Sequence, residues 1–257
     1  MAHIQLAGIR VAIEEQGSGP DLLYLHPEHY FERQQPFIDA LASSWHVLAP
    51  RHPGFDGQPP PADFRSVGDL AYLYLDLLAQ LDLQKVMIVG SSLGGWIALE
   101  MAVRERSRIG SLALFAPLGA KLSAREVRDF ADLNALPEDA ALAQLFHDPQ
   151  RNGPHYAQFD DQQMTALAIE RQALAYYAWQ PYLHNPALPR WLHRVDRPTL
   201  LLWGASDGLV SPAYARQLAK RLPRAELQVL PACGHYPQLE APAAVIAALG
   251  AFAAANR

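Results

Sequence analysis

The 257-residue chain has a single cysteine, Cys233. One cysteine cannot close an internal disulfide, so the fold is held without covalent staples, and nothing here points to an oxidising compartment. A basic excess is also missing: 21 Lys and Arg stand against 26 Asp and Glu, for a formal net charge of −5. A general nucleic-acid binder needs a basic face to replace phosphate counterions, so that class is disfavoured. No apolar run approaches the roughly 20 residues that a membrane-spanning helix requires. Met1 to Gln16 holds no basic region followed by an apolar one, so no secretory signal is expected. Internal repeats, low-complexity linkers and long charge runs are absent too. Together these absences predict a soluble cytoplasmic protein, monomeric or homodimeric, with neither nucleic acid nor membrane as partner.

What is present is an ordinary globular balance, 50% hydrophobic and 18% charged, in a chain long enough to bury a substantial core. Short apolar runs recur at Leu22–Leu25, His46–Ala49, Val86–Val89, Leu112–Phe115, Thr199–Trp203 and Leu227–Leu230. Most are apolar throughout, as strands buried on both faces of a parallel sheet must be. Ile4–Glu14 is more polar and predicts a pair of edge strands. Helical spacing of apolar residues marks Val67–Leu83, Leu93–Arg104 and Pro212–Leu222, and an alanine-rich helix over Ala243–Ala255 follows Pro242. This alternation predicts an α/β fold, a three-layer sandwich around a mostly parallel sheet. It lapses between Gly119 and Arg190, where helical stretches and aromatics predominate without a convincing strand. Residues 1–118 and 191–257 are therefore expected to form the core, and residues 119–190 a helical cap inserted before the last two strands.

The strand at Val86–Val89 runs into Gly90-Ser91-Ser92-Leu93-Gly94-Gly95, and a helix follows. A serine at the tip of a sharp strand-to-helix turn has an exposed hydroxyl on a strained backbone. Strand and helix crowd either side of it, which calls for glycine at Gly90 and Gly94. The turn aims the first helical N–H groups at the reacting carbonyl, making the Leu93 amide an oxyanion donor. The run VGSSLGGWIALEMAV resembles the nucleophile elbow of the α/β-hydrolase superfamily. The Leu22–His26 segment, the Pro50–Phe55 turn, LLLWGASD and GHYPQLEAP follow in that family's order. The resemblance covers the chain outside the cap.

A serine hydroxyl needs a neutral imidazole to take its proton, and the imidazole needs a third group to fix its tautomer. The family's chain order is serine, acid, histidine. Asp207 lies just past the C-terminal end of a buried strand, where open parallel sheets place their sites. Asp196 is at the wrong end of that strand, and Asp56 breaks the order. His235, in the loop after Leu227–Leu230, alone among ten histidines meets both chain order and strand end. The resemblance implies a second oxyanion donor beside a His-Gly pair. Here Pro27 replaces the glycine and has no N–H, leaving the Glu28 amide as the candidate, with its side chain expected to turn outward or pair with a cation such as Arg51. His29 is expected to line the pocket and His26 to brace the loop. A metal bound by His26, His29 and His52 is disfavoured, because they lie in turns with one close acid. The resemblance places Trp96, Leu209 and Val210 as floor and wall. The cap aromatics Tyr177 and Trp179 are expected to contact substrate.

These residues predict a serine hydrolase acting on a small-molecule substrate, a small and largely apolar carboxylic ester or related acyl compound, without cofactor or metal. One alternative is hydrolysis of a carbon–carbon bond in a diketo-acid, because Gly95-Trp96 and the cap resemble the meta-cleavage-product hydrolases. Arg151, Arg171 and Arg190 are candidates there to hold a carboxylate. Cofactor-free haloperoxidase or perhydrolase chemistry and a non-catalytic small-molecule receptor are further alternatives. Dehalogenase and epoxide-hydrolase chemistry is disfavoured, because those branches use aspartate where Ser92 stands.

Overall fold

The structure is a computed structural model, and it describes residues 2–256. In chain order the first elements are β1 (Ala2–Leu6), β2 (Ile9–Gln16), β3 (Asp21–Leu25), α1 (Gln35–Ala42), β4 (His46–Pro50), α2 (Val67–Gln80), β5 (Val86–Ser91), α3 (Leu93–Arg104) and β6 (Ile109–Phe115). An inserted stretch carries β7 (Gly119–Ala120), α4 (Glu138–Leu145), α5 (Pro149–Asn152), α6 (Asp161–Ala178) and β8 (His184–Asn185). The chain closes with α7 (Leu188–Trp191), β9 (Thr199–Gly204), α8 (Pro212–Ala219), β10 (Ala225–Leu230), α9 (Pro237–Glu240) and α10 (Pro242–Ala255).

Eight strands form one sheet in the order β1-β2-β4-β3-β5-β6-β9-β10. From β4 to β10 every pairing is parallel, while β1–β2 and β2–β4 are antiparallel. Successive side chains of a strand face opposite sides, and the central strands are apolar on both. Leu23, Leu25, Ile88, Leu112, Leu114, Leu201 and Trp203 join α2, α3 and α8 in one core. Leu22, Tyr24, Met87, Val89, Ala113, Phe115, Leu200 and Leu202 join α1 and α10 in the other. Helix α2 begins with a capping box, Ser66 and Asp69 satisfying each other's backbone.

Three local expectations need correction. Only β1 of the N-terminal pair is an edge strand, because β2 also pairs with β4 through Ile13↔Pro50. The inserted segment contains two short strands, β7 and β8, paired in parallel at its base. Two residues each are too few to leave a periodic signal. The expected boundary after residue 190 falls inside α7, whose Leu188 is buried in the main core. Helix α1 is additional to the expected helices. Among the described residues no helix is long and apolar enough to cross a membrane.

Candidate active site

Ser92 is the residue between β5 and α3, with φ 51° and ψ −111°. A non-glycine side chain in that conformation is strained, and the surrounding contacts must hold it there. They do: Ser92 N–H donates to Phe115 O at 2.8 Å, and its carbonyl accepts from Trp96 N at 3.0 Å and Leu118 N at 3.2 Å. A Cβ at Gly90 would collide with the Gly94 backbone, and one at Gly94 with the Leu25 carbonyl oxygen. The two glycines are therefore steric requirements of the turn.

The structure brings Ser92, His235 and Asp207 into one hydrogen-bonded chain. His235 Nε2 lies 2.7 Å from Ser92 Oγ, and His235 Nδ1 lies 2.9 Å from Asp207 Oδ2. The other Asp207 oxygen accepts the Val210 N–H at 2.9 Å. Ser92 and His235 are fully buried and Asp207 nearly so. Burial alone would pull the His235 imidazole down. The Asp207 carboxylate, its hydrogen bond and the charge of Glu28 outweigh that and hold it above its ordinary 6.5.

Glu28 does not turn outward. Its Oε2 accepts the Leu93 N–H at 3.2 Å, and its Oε1 accepts the Tyr236 hydroxyl at 2.7 Å. The residue is 2% exposed. The physical reason lies in the elbow itself: unpaired amides and the positive end of the α3 dipole attract an anion. A carboxylate already inside the protein fills that place. Burial opposes the charge, but His29, His235 and hydrogen bonds from Ser92 and Tyr236 lower the Glu28 carboxyl below its ordinary value. Arg51 pairs instead with Glu32 and lies over the Phe31 ring, 3.9 Å from its centre. The Glu28 amide carries no hydrogen bond among the described residues.

His26 and His52 form a neutral brace under this loop. His26 Nδ1–H donates to Pro27 O at 2.6 Å, and His52 N–H donates to His26 Nε2 at 3.0 Å. His52 Nε2–H returns to His26 O at 3.0 Å, leaving Nδ1 to accept the Tyr74 hydroxyl at 2.6 Å. Burial lowers both, His52 to about 3. Among the described residues no group of three or more His, Cys, Asp or Glu is arranged to hold a metal.

A cavity of about 330 Å³ opens beside Glu28, lined by leucines 118, 133, 136, 142, 145, 174, 183 and 209, with Tyr156, Tyr182, Trp179 and Arg171. His29 and Leu209 line it, and Trp179 sits at its rim, 58% exposed. Trp96, Tyr177 and Val210 are not among the lining residues, and neither are Ser92, Leu93, Asp207 and His235, which lie behind Glu28 in the buried elbow region. The Trp96 ring packs against the Gly119 backbone, and its Nε1–H donates to Glu100 Oε1 at 3.1 Å. Tyr177 stacks on Phe55 and donates its hydroxyl to Pro53 O at 3.0 Å. The Val210 side chain is core, while its backbone orients Asp207 and accepts the Trp203 Nε1–H at 2.8 Å.

Two groups escaped the sequence reading. Gln238 Nε2 donates to Ser91 Oγ at 3.0 Å and to Gln34 Oε1 at 3.2 Å, behind the elbow. Glu240 gathers the amides of Gly234, His147 (3.0 Å) and Asp148 (3.4 Å) and the Asn152 side chain (3.2 Å). Glu240 lies within the GHYPQLEAP run, but apart from Gly234 its partners lie in the inserted segment and leave no local signal.

Comparison with known proteins agrees with this architecture. The chain is 29% identical over 211 residues to the dihydrolipoyllysine-residue acetyltransferase component of the acetoin cleaving system of Pseudomonas putida. That match covers 79% of the chain and 54% of the relative, so the chain spans about half of that protein. It is 25% identical over 269 residues to 2-hydroxy-6-oxo-6-phenylhexa-2,4-dienoate hydrolase of Burkholderia cepacia, covering 91% of the chain and 88% of the relative. A solved bacterial membrane phospholipase A is similar in fold, with a TM-score of 0.82 at 24% identity over 100% of this chain and 86% of that one. The sequence profile described as the alpha/beta hydrolase fold matches residues 26–242. Elbow, sheet order and profile meet on one conclusion: the chain belongs to the α/β-hydrolase family.

Proposed function

We propose that this protein is a serine hydrolase that cleaves a small, largely apolar carboxylic ester through an acyl-enzyme on Ser92. The observation that carries this reading is the unbroken Ser92–His235–Asp207 chain, with a leucine-rich cavity reaching Glu28, whose carboxylate accepts the Leu93 N–H at the elbow. In this reading Ser92 Oγ bonds to the carbonyl carbon as its proton passes to His235 Nε2. The carbonyl oxygen takes up the electron pair as an oxyanion, held by the Leu93 and Glu28 amides. Collapse of that intermediate breaks the bond to the alcohol oxygen, which receives the proton from His235. A water, deprotonated by the same imidazole, then attacks the acyl carbon, and its collapse returns Ser92 and releases the acid. No cofactor enters any step.

A second reading rests on Arg171, which lines the cavity and offers a cation to a substrate carboxylate, as carbon–carbon hydrolysis of a diketo-acid would want. The relative named for 2-hydroxy-6-oxo-6-phenylhexa-2,4-dienoate lends it support. The buried Glu28 charge weighs against an acid near the nucleophile.

The test is covalent labelling by a fluorophosphonate together with a screen of p-nitrophenyl esters and one diketo-acid. Wild type should label on Ser92 and hydrolyse esters. Ser92→Ala should not label, and should lose about 10⁴-fold or more in turnover while keeping its fold. Retention of a tenth of the activity by Ser92→Ala, or no labelling of wild type, would overturn the assignment.

A further inference from the structure

We propose that Glu28 sets the charge selectivity of this site: its carboxylate, resting at the oxyanion position, favours acyl groups with an ammonium beside the scissile carbonyl and rejects acyl groups with a negative charge. This rests on the reading of Ser92 as nucleophile.

The carboxylate is held by donors but not by a fixed cation. Its two hydrogen bonds come from the Leu93 amide and the Tyr236 hydroxyl, both neutral. Among the described residues no Lys or Arg lies within ion-pair distance of it. A buried charge of this kind gains most from a counter-charge supplied by a ligand. His29 lines the same cavity as Glu28, but its Nδ1 faces the Glu170 carboxylate at 3.7 Å, so it does not neutralise Glu28 as a fixed cation would. An ammonium, with three donors, can supply the Glu28 carboxylate with the counter-charge that no Lys or Arg provides.

The position of the carboxylate also dictates an order of events. A tetrahedral oxyanion must take the Leu93 N–H, and two negative oxygens cannot share that amide. Glu28 has to leave before the carbonyl oxygen settles. With Oε1 kept on the Tyr236 hydroxyl, Oε2 swings off Leu93 toward the cavity that Glu28 already lines. The freed oxygen then meets the substituent on the carbon next to the carbonyl. An ammonium there stabilises the displaced carboxylate, an alkyl group is indifferent, and a carboxylate repels it.

The experiment measures kcat/KM for p-nitrophenyl esters of alanine, propionic acid and succinic acid, each normalised to its spontaneous hydrolysis. Wild type should prefer the alanine ester over the propionate by about tenfold or more, as a charge-assisted hydrogen bond provides, and the propionate over the succinate by a similar factor. Glu28→Gln should compress both ratios to within about threefold and shift the acid limb of the rate profile to lower pH, because a negative charge beside His235 is gone. A separate measurement on unaltered protein uses alanine amide and propionamide to protect Ser92 from fluorophosphonate, and the cationic amide should protect at lower concentration. Equal ratios in wild type and Glu28→Gln, or equal protection by both amides, would overturn the charge role while labelling of Ser92 left the nucleophile standing. Failure of wild type to label would overturn both.

Discussion

Asp207 has committed both carboxylate oxygens, one to His235 Nδ1 and one to the Val210 amide. That fixes the imidazole with Nδ1–H toward the acid and its Nε2 lone pair toward Ser92. In the proposed mechanism the neutral ring is the base, and Asp207 and Glu28 outweigh burial to hold its pKa above the ordinary 6.5. Activity should therefore fall as the pH drops through a midpoint above 6.5, since protonation at that midpoint removes the lone pair. A kcat/KM profile from pH 5 to 9 checks this. Asp207→Asn should lower both the midpoint and the rate, and a midpoint indifferent to that change would count against the pairing. At this scale the sequence is generous, because Ser92, Asp207 and His235 each sit at a strand end with a glycine-marked turn or a fixed chain order. Glu28 is the exception. Its direction depends on the Tyr236 hydroxyl, 208 residues away, and on an amide that any anion could occupy.

Helical phase, rather than residue type, decides which cap residues meet the cavity. Arg171, Leu174, Ala175 and Ala178 line it from α6, at spacings of three and four that mark one helix face. Ala173 and Tyr177 lie on another face and pack toward Gly54 and Phe55. That phase is legible in the sequence, and it turns the Tyr177 ring toward Phe55 and Pro53 rather than the cavity. Trp179, just past the helix end, reaches the rim. Trp179→Ala should shift the preferred acyl length in a series of p-nitrophenyl esters from acetate to octanoate. Tyr177→Ala should leave that preference in place and cost about 3 kcal/mol of stability, as for a truncated buried aromatic. A Tyr177→Ala variant with normal denaturation and an altered length optimum would reverse these roles. The same limit explains Trp96: its place on α3 was predictable, but its neighbour Gly119 comes from a distant strand.

Over the whole molecule, the strand set and the parallel centre of the sheet were legible, because strands buried on both faces must be apolar throughout. Strand order was not, since β2 and β4 become neighbours only through the antiparallel return of the N-terminus. The buried core protects Cys233, which is 0% exposed and whose thiol burial pushes up to about 12. Iodoacetamide at neutral pH should leave it unmodified in the folded protein and alkylate it in denaturant, and rapid native labelling would contradict the packing. Glu240→Gln should lower Tm by roughly 4–8 °C, from about 2 kcal/mol of lost charge-assisted bonding, with thermal denaturation as the check. The backbone around Glu240 has a further consequence. His235 N–H donates to Leu145 O at 2.7 Å, and Gly208 N–H donates to Gln144 O at 2.9 Å, so the end of α4 is sewn to the loops that carry both His235 and Asp207. Raising that part of the roof would pull the base away from the nucleophile. The chamber is thus a room whose ceiling is tied, by two backbone hydrogen bonds, to the loops that carry the base and its acid.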